Sequence, residues 1–437
     1  MLRRIIYHLM LLCCLFSSSA IFAQTKQPPD HFKKIMIVMF ENMSYAEIKD
    51  EPTFKRLIEY TGNELDENGR LHALKQMGLK QDANGNGYAF FSQYYNNHSG
   101  GNVPSRPSQP NYIALISGST HNINDDEVHD IQADNLMTEL NDAGISWKVY
   151  AEDLPTSSHN QQPYLSTKLP PDLFYANIAA YQLNPNLSEE ENDHYSHQYY
   201  VTEYHKLFIP YKELTSSACY IGGSYHGSNG YQRKHEPVIS FKHIQEDANE
   251  CRKIVNSAEL ANDVNQYPDV SLYIPNQIND GHNGELDKRV INANRFLSAM
   301  MGTDPKTGHP LPNASEAPFQ KFMANDGLLI ITFDEPSVTG NPDKTIYTLA
   351  AGNMISSGAY PDSTGNNSPI CYPSIKKQDQ YKQDKNGAYT PYQCNHYNLL
   401  KLIENNWHLR GLAERDTSTG YKYAYSLDQG LSNIWKS

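Results

Sequence analysis

Lys33-Lys34-Ile35-Met36-Ile37-Val38-Met39-Phe40-Glu41-Asn42 is the stretch whose reading decides the fold. Its six apolar residues run without a break and then stop at a carboxylate and an amide. A short apolar run without alternation reads as a strand buried on both faces, as in a parallel sheet. Open α/β sheets bind their ligands just beyond the carboxyl ends of the strands, which is where Glu41 and Asn42 fall. Leu328-Leu329-Ile330-Ile331-Thr332-Phe333 repeats the pattern and stops at Asp334-Glu335. Two buried strands ending in oxygen donors point to one site for a hard cation.

Working outward, a helix is expected near 53–60. Residues 81–107, rich in Asn, Gly and Tyr, read as loop. Pro107-Ser108-Gln109-Pro110-Asn111 leads into apolar positions 112–116 that suit a helix. Residues 133–143 read as a helix stopped by Gly144, and 145–151 as a strand ending at Glu152-Asp153. Residues 154–232 are polar and Tyr-rich, an insertion expected to cap the site. A strand at 270–274 leads into Asn279-Asp280-Gly281-His282. Helices are expected at 288–301, 315–325 and 397–406, with 355–393 as a long loop. Strands alternating with helices predict an α/β fold with a mostly parallel central sheet flanked by helices. No repeat or linker divides residues 24–437, so they are expected to form a single domain.

Bulk properties bound the function. The 437 residues are 39% apolar and 19% charged, a globular composition. A formal charge of −13 excludes a basic nucleic-acid footprint and gives no long-range attraction for phosphate. A phosphate-handling site would therefore need a local cation. Residues 1–23 have the pattern of a secretory signal peptide. Arg3 and Arg4 open it, an apolar segment fills 5–16, and small residues lead to cleavage after Ala23 or Ala20. The mature chain is then expected to be secreted or periplasmic, with no transmembrane anchor. Four of the six cysteines remain, Cys219, Cys251, Cys371 and Cys394. Of three connectivities, the sequence-near one (219 with 251, 371 with 394) is expected.

The strand ends present Glu41, Asn42, Asp280, His282, Asp334 and Glu335 together. Oxygen donors with a minority of histidine suit one or two divalent cations, with Zn, Ca, Mn and Mg all open. Ser108, just ahead of a predicted helix, is either a nucleophile facing a phosphate at the helix N-terminus or simply an N-cap. A cation beside it would activate its hydroxyl.

These motifs carry a resemblance. Glu41-Asn42-Met43-Ser44-Tyr45 resembles the start of the bacterial phosphoesterase family, which holds acid phosphatases and phospholipases C within the alkaline-phosphatase-like superfamily. Further matches follow in the family's order. They are Pro107-Ser108-Gln109-Pro110-Asn111-Tyr112 with Ser117-Gly118-Ser119-Thr120, Lys234-His235-Glu236-Pro237, Asn279-Asp280-Gly281-His282, Thr332-Phe333-Asp334-Glu335 and Asn395-His396-Tyr397. The resemblance implies that Glu41, Asn42, Asp334 and Glu335 hold the metal, joined by Ser108 as it becomes a phosphoseryl intermediate. It implies that His235 and His282 contact phosphoryl oxygens or protonate the leaving group, with Asp280 orienting His282 or binding a second metal. His98 and His396 would touch substrate. The chain departs from the pattern at Glu236, where the family has Asn, at Gly281, which replaces a larger residue, and at Asn395 in place of Thr.

The expected function is an exported metal-dependent phosphoesterase acting on a phosphate ester or a phospholipid, with acid phosphatase and phospholipase C both open. Tyr residues of 154–232 would suit a choline headgroup by cation–π contact or ordinary packing. A secreted binding protein on the same fold would need a broken site, yet Ser108 and the four oxygen donors are present. A sulfatase would want an Arg that Ser108-Gln109-Pro110-Asn111-Tyr112 lacks.

Overall fold

The opening stretch forms β1 (Lys34–Phe40), and every side chain from Ile35 to Phe40 is buried. The structure, a computed structural model, describes residues 26–65, 71–73, 81–91, 94–96, 107–152, 154, 231–257, 259–337, 345–360, 394–412, 424–428 and 434–436. The expected signal peptide, nearly all of the Tyr-rich insertion, His98, Cys219 and Cys371 lie outside these residues. Each expected cysteine pairing thus has one member outside them; the other members, Cys251 and Cys394, are buried. Among the described residues no helix is long and apolar enough to cross a membrane.

In chain order the other strands are β2 (Asn63–Leu65), β3 (Leu71–Ala73), β4 (Gly87–Phe91), β5 (Trp147–Ala151), β6 (Ile254–Asn256), β7 (Val270–Ile274), β8 (Gly327–Phe333), β9 (Leu349–Gly352) and β10 (Gly358–Tyr360). β2 and β3 form a separate antiparallel pair. The rest build one sheet in the order β10-β4-β9-β8-β1-β7-β5-β6. β1 lies between β7 and β8, parallel to both, and β5 and β6 continue the parallel array. β9 alone is reversed, antiparallel to β8 and to β4, while β10 pairs parallel with β4. The sheet is mostly parallel, as the apolar runs predict.

Two loop expectations are corrected here. Residues 81–107 contain β4, whose five side chains are all buried, and residues 355–393 contain β10. The run Gly87-Tyr88-Ala89-Phe90-Phe91 is short, and the Asn- and Gly-rich residues before it hide its apolar character. Gly87 has a packing reason: a Cβ there would sit 1.9 Å from the Ile355 carbonyl oxygen, so only glycine allows the two backbones this close.

The helices arise where the sequence signals them. Pro52–Glu59 and Pro318–Ala324 each begin with the proline that the first turn tolerates. Leu136–Asp142 is capped by Asn135, whose side chain accepts from the Thr138 amide. Leu286–Met301 and His396–Asn406 lie close to the expected bounds. Pro318–Ala324 packs on β8, and Pro52–Glu59 on β4.

The core converges on the end of β1. The Phe40 ring meets Phe54, Phe296 and Phe333 at centroid distances of 5.7, 5.5 and 5.1 Å. Burying each such ring contributes about 1.5–3 kcal/mol, so the strand is anchored just where it delivers Glu41. Register does the rest. Phe40 pairs with Phe333 and Val38 with Tyr273, so the residues that follow β1 and β8 leave the sheet side by side.

Candidate active site

Glu41 and Asp334 emerge as neighbours at the carboxyl edge. The Asp334 amide donates to the Phe40 carbonyl at 2.9 Å, and the Glu41 amide to the Asp280 carbonyl at 2.8 Å. Asn42 turns the chain there with φ +50, a left-handed conformation that asparagine tolerates better than most side chains. Its amide N–H donates to Asp334 Oδ1 at 2.9 Å, and its Nδ2 to Glu41 Oε2 at 2.7 Å.

The Ser108–Ser117 helix brings the hydroxyl. All ten of its residues are buried, the mark of a helix with protein on every side. Pro110 fits because it lies in the first turn. Ser108 is the first helical residue and does not cap; its Oγ donates to Glu41 Oε2 at 2.9 Å. Three residues on, Asn111 Nδ2 reaches Glu335 Oε2 at 3.4 Å. Four residues on, Tyr112 stacks on His235 at 5.3 Å with planes 10° apart. Residues i, i+3 and i+4 share one helix face, so one face addresses the whole site.

His235 is held between two acids. Its Nε2 lies 3.3 Å from Glu41 Oε1 and its Nδ1 3.5 Å from Asp280 Oδ2. Asp280 Oδ1 accepts the His282 amide at 2.7 Å, and the two imidazole rings sit 5.9 Å apart. His282 Nδ1 lies 3.0 Å from Asn283 Oδ1, and the ring remains partly exposed. Gly281 makes this turn possible. Its φ is +84, and a Cβ would lie 2.0 Å from the Met43 Cε, so a larger residue would take on left-handed strain and displace the Met43 tip.

The electrostatics are those of buried acids crowded together. Burial first, and then the negative charge of Asp280, pushes Glu41 well above the ordinary carboxylate range. Burial and then Glu41 do the same to Asp334, while the Asn42 amide and the Ser108 hydroxyl pull it back. Asp280 rises mainly through burial, against the pull of the His282 amide. Burial and the Lys234 ammonium hold His235 well below its usual value, so it is a neutral imidazole. Burial also lowers His282. Four of the atoms involved, Glu41 Oε1, Asp280 Oδ2, Asp334 Oδ2 and His235 Nε2, are buried without a hydrogen-bond partner among the described residues. Unpartnered acceptors of this kind are rare in native interiors.

Ser108, Glu41, Asn42, Asp280, His235, His282, Asp334 and Glu335, from five separate segments, are thus brought to one edge of the sheet. His396 arrives differently. It is fully buried, with Nε2 3.0 Å from the Asp334 carbonyl oxygen and Nδ1 3.1 Å from the Tyr94 hydroxyl. Burial lowers its pKa to about 4. Both nitrogens have protein partners, and His396 supports the backbone of Asp334. Glu236, which stands where the resembled family has Asn, accepts the Val238 and Ile239 amides at 3.0 Å each.

Sequence reasoning missed three contributors. Glu152, at the end of β5, accepts the Asn276 amide at 2.9 Å and Asn279 Nδ2 at 2.8 Å, pinning the loop that carries Asp280. Its place after a strand was a usable signal. Asp126 and Arg289 sit in ordinary polar runs and had none. Arg289 donates to the carbonyls of Gly281 and Asn42, both at 2.5 Å.

Comparison with known proteins follows this geometry. The Phosphoesterase family's sequence model matches residues 85–307. That span holds Ser108, His235, Asp280 and His282, while Glu41 and Asp334 join them only through the sheet. The chain is similar to the "Probable acid phosphatase" of Kluyveromyces lactis, 22% identical over 334 residues, covering 76% of this chain and 55% of that protein. It is also similar to the "Phosphate-repressible acid phosphatase" of Penicillium chrysogenum, 22% identical over 252 residues, covering 57% and 43%. The "Acid phosphatase" of Aspergillus niger is 27% identical over 192 residues, covering 44% and 36%. These relatives are fungal, and the chain spans about half of their length or less.

Proposed function

The chain belongs to the Phosphoesterase family, and from that premise we propose that it hydrolyses phosphate esters, with Ser108 as the nucleophile. The observation that carries the reading is the 2.9 Å hydrogen bond from Ser108 Oγ to Glu41 Oε2 at the carboxyl edge of the parallel strands. The acid phosphatase names of the similar proteins support a monoester substrate; a phospholipase C acting on diesters is the other outcome of the assay below.

A divalent cation fits the residues present. Three buried carboxylate oxygens lack partners and their carboxylates repel one another, a chemistry that a cation relieves. Among the described residues no three His, Cys, Asp or Glu side chains already stand in metal-holding geometry, so the fit rests on the donor chemistry. Glu41, Asn42, Asp334 and Glu335, with Ser108, would hold it. Bound there, it would neutralise the carboxylates, acidify the serine hydroxyl and offset charge on the phosphoryl oxygens.

The chain's own residues then have defined tasks. Glu41 Oε2 accepts the Ser108 hydroxyl proton's hydrogen bond and aims Oγ. Oγ attacks phosphorus, its proton passing to Glu41 Oε2, as the bond from phosphorus to the leaving oxygen breaks. His282, partly exposed, delivers a proton to that oxygen. Neutral His235, fixed by Tyr112 and the two acids, places its ring against the phosphoryl group. Water then attacks phosphorus, the bond from phosphorus to Oγ breaks to release inorganic phosphate, and Glu41 returns the proton to Ser108 Oγ. The same reading takes the sheet as alkaline-phosphatase-like, residues 1–23 as a removed signal peptide and 154–232 as a cap.

The test sets p-nitrophenyl phosphate beside p-nitrophenylphosphorylcholine, with and without chelator, for the parent, Ser108→Ala and Asp334→Asn proteins. The expected result is monoester turnover that Ser108→Ala abolishes, with Asp334→Asn lowering metal content by elemental analysis. Ser108→Ala turning over at the parent rate would refute the assignment.

A further inference from the structure

We propose that Lys234, set in place by Asp126, is a direct ligand of the phosphoryl oxygens beside Ser108. The proposal rests on the phosphoesterase reading and adds to it a cation built into the chain and the side chain that positions it.

The geometry starts from one carboxylate. Asp126 Oδ1 accepts the amide of Gln109, the residue after Ser108, at 3.1 Å. Asp126 Oδ2 accepts from Lys234 Nζ at 2.8 Å. Two hydrogen bonds therefore tie the first turn of the nucleophile helix to an ammonium group. Lys234 precedes His235 in the turn Arg233–His235, which packs against that helix. The ammonium is near enough to the site to favour the Glu41 carboxylate and disfavour protonation of His235 and His282.

This arrangement changes what the helix N-terminus offers. A helix start presents free amides to an anion, but here Asp126 takes the Gln109 amide. The Gln109 amide and the Lys234 ammonium thus share one carboxylate, which sets the ammonium beside the helix start. A lysine stem is flexible, and the ion pair with Asp126 restrains it. The ammonium carries three donors; Asp126 takes one, and the Lys234 side chain is 14% exposed. Arg289 is not available in this way, because its Nε and Nη2 donate to backbone carbonyls. The need is electrostatic. Glu41, Asp280, Asp334 and Glu335 are all buried acids at the edge where the phosphate must sit, and a phosphate dianion meets their repulsion unless positive charge reaches it.

The competing account is a structural ion pair that merely fastens the helix. A tie of that kind, partly exposed, is worth about 0–1 kcal/mol and does not touch a ligand. Binding of inorganic phosphate separates the two, since it needs no turnover. Calorimetric titrations would use full-length Ser108→Ala protein, supplied with divalent cation, and the same protein carrying Lys234→Gln, Lys234→Arg or Asp126→Asn. Lys234→Gln is expected to weaken phosphate binding about 10- to 100-fold, the worth of a hydrogen bond to a charged group, and Lys234→Arg to restore most of it. In the otherwise unaltered enzyme, Asp126→Asn is expected to raise KM with kcat little changed, because Asp126 is a positioning residue. Phosphate affinity unchanged in Lys234→Gln would overturn the proposal, as would a fall in melting temperature with no change in affinity. If the parent protein neither binds phosphate nor cleaves an ester, the phosphoesterase reading itself fails, a result distinct from the loss of Lys234 alone.

Discussion

Replacing Glu41 by glutamine should make the metal-free protein more stable while abolishing its activity. Glu41 is fully buried, and its Oε2 accepts both the Ser108 hydroxyl and Asn42 Nδ2. Its Oε1 has no hydrogen-bond partner among the described residues, and 3.3 Å away His235 Nε2 has none either. Glutamine keeps one oxygen for the two donors and puts an amide N–H where Oε1 stands, facing a neutral imidazole that accepts. Two orphaned polar atoms become a hydrogen bond, and one of several crowded negative charges disappears. Satisfying such a buried pair is worth about 1–3 kcal/mol. In a chain of 437 residues that corresponds to a melting temperature raised by roughly 1–3 °C, from the usual unfolding entropy per residue. The assay is calorimetric melting in chelator across pH. Burial raises the folded pKa of Glu41 above its unfolded value, so its stability contribution is present at low pH and is lost as pH rises. The advantage of Glu41→Gln should therefore shrink toward pH 4 and grow toward neutrality. With saturating divalent cation the order should reverse, because only the parent gains binding energy. If Glu41→Gln melts below the parent in chelator at pH 7, then the charge is already compensated and the reasoning is wrong.

Two further predictions concern residues outside that pair. Glu139 is buried beneath Arg410, Glu404, Lys401 and Asp142, and burial followed by the charge of Glu404 raises its pKa to about 8 from an ordinary 4.5. A raised acid stabilises the fold below its unfolded pKa and loses that contribution as pH climbs from about 4.5 through about 8. Thermal melts from pH 5 to 9 should show this decline in the parent and a flatter profile in Glu139→Gln; parallel profiles would contradict it. Gly281→Ala should cost about 1–3 kcal/mol from left-handed strain and the displaced Met43. Because Gly281 separates Asp280 from His282, it should also lower kcat, read by steady-state assay beside a melting curve.

The apolar runs at 35–40 and 328–333 were enough to determine two buried strands and, from where each run stops, that Glu41, Asn42, Asp334 and Glu335 lie at the carboxyl edge of the sheet. Burial on both faces leaves no freedom in such a pattern. The proline, asparagine and glycine signals at helix ends did the same for most helices. Local pattern fails where an element is short, as in β4 and β10, and where partners are distant. Nothing near Leu349–Gly352 signals that β9 runs against its neighbours, since strand direction depends on how the chain returns across the sheet. The histidines show the limit most clearly. His235 and His396 are both buried and both follow motif-like residues, yet one faces two acids beside Ser108 while the other supports the Asp334 backbone. Asp126 reaches Gln109 and Lys234 only because the helix and the turn pack together. Which groups a side chain meets is fixed by register and packing between segments hundreds of residues apart, and that information enters only when the chain has closed on itself.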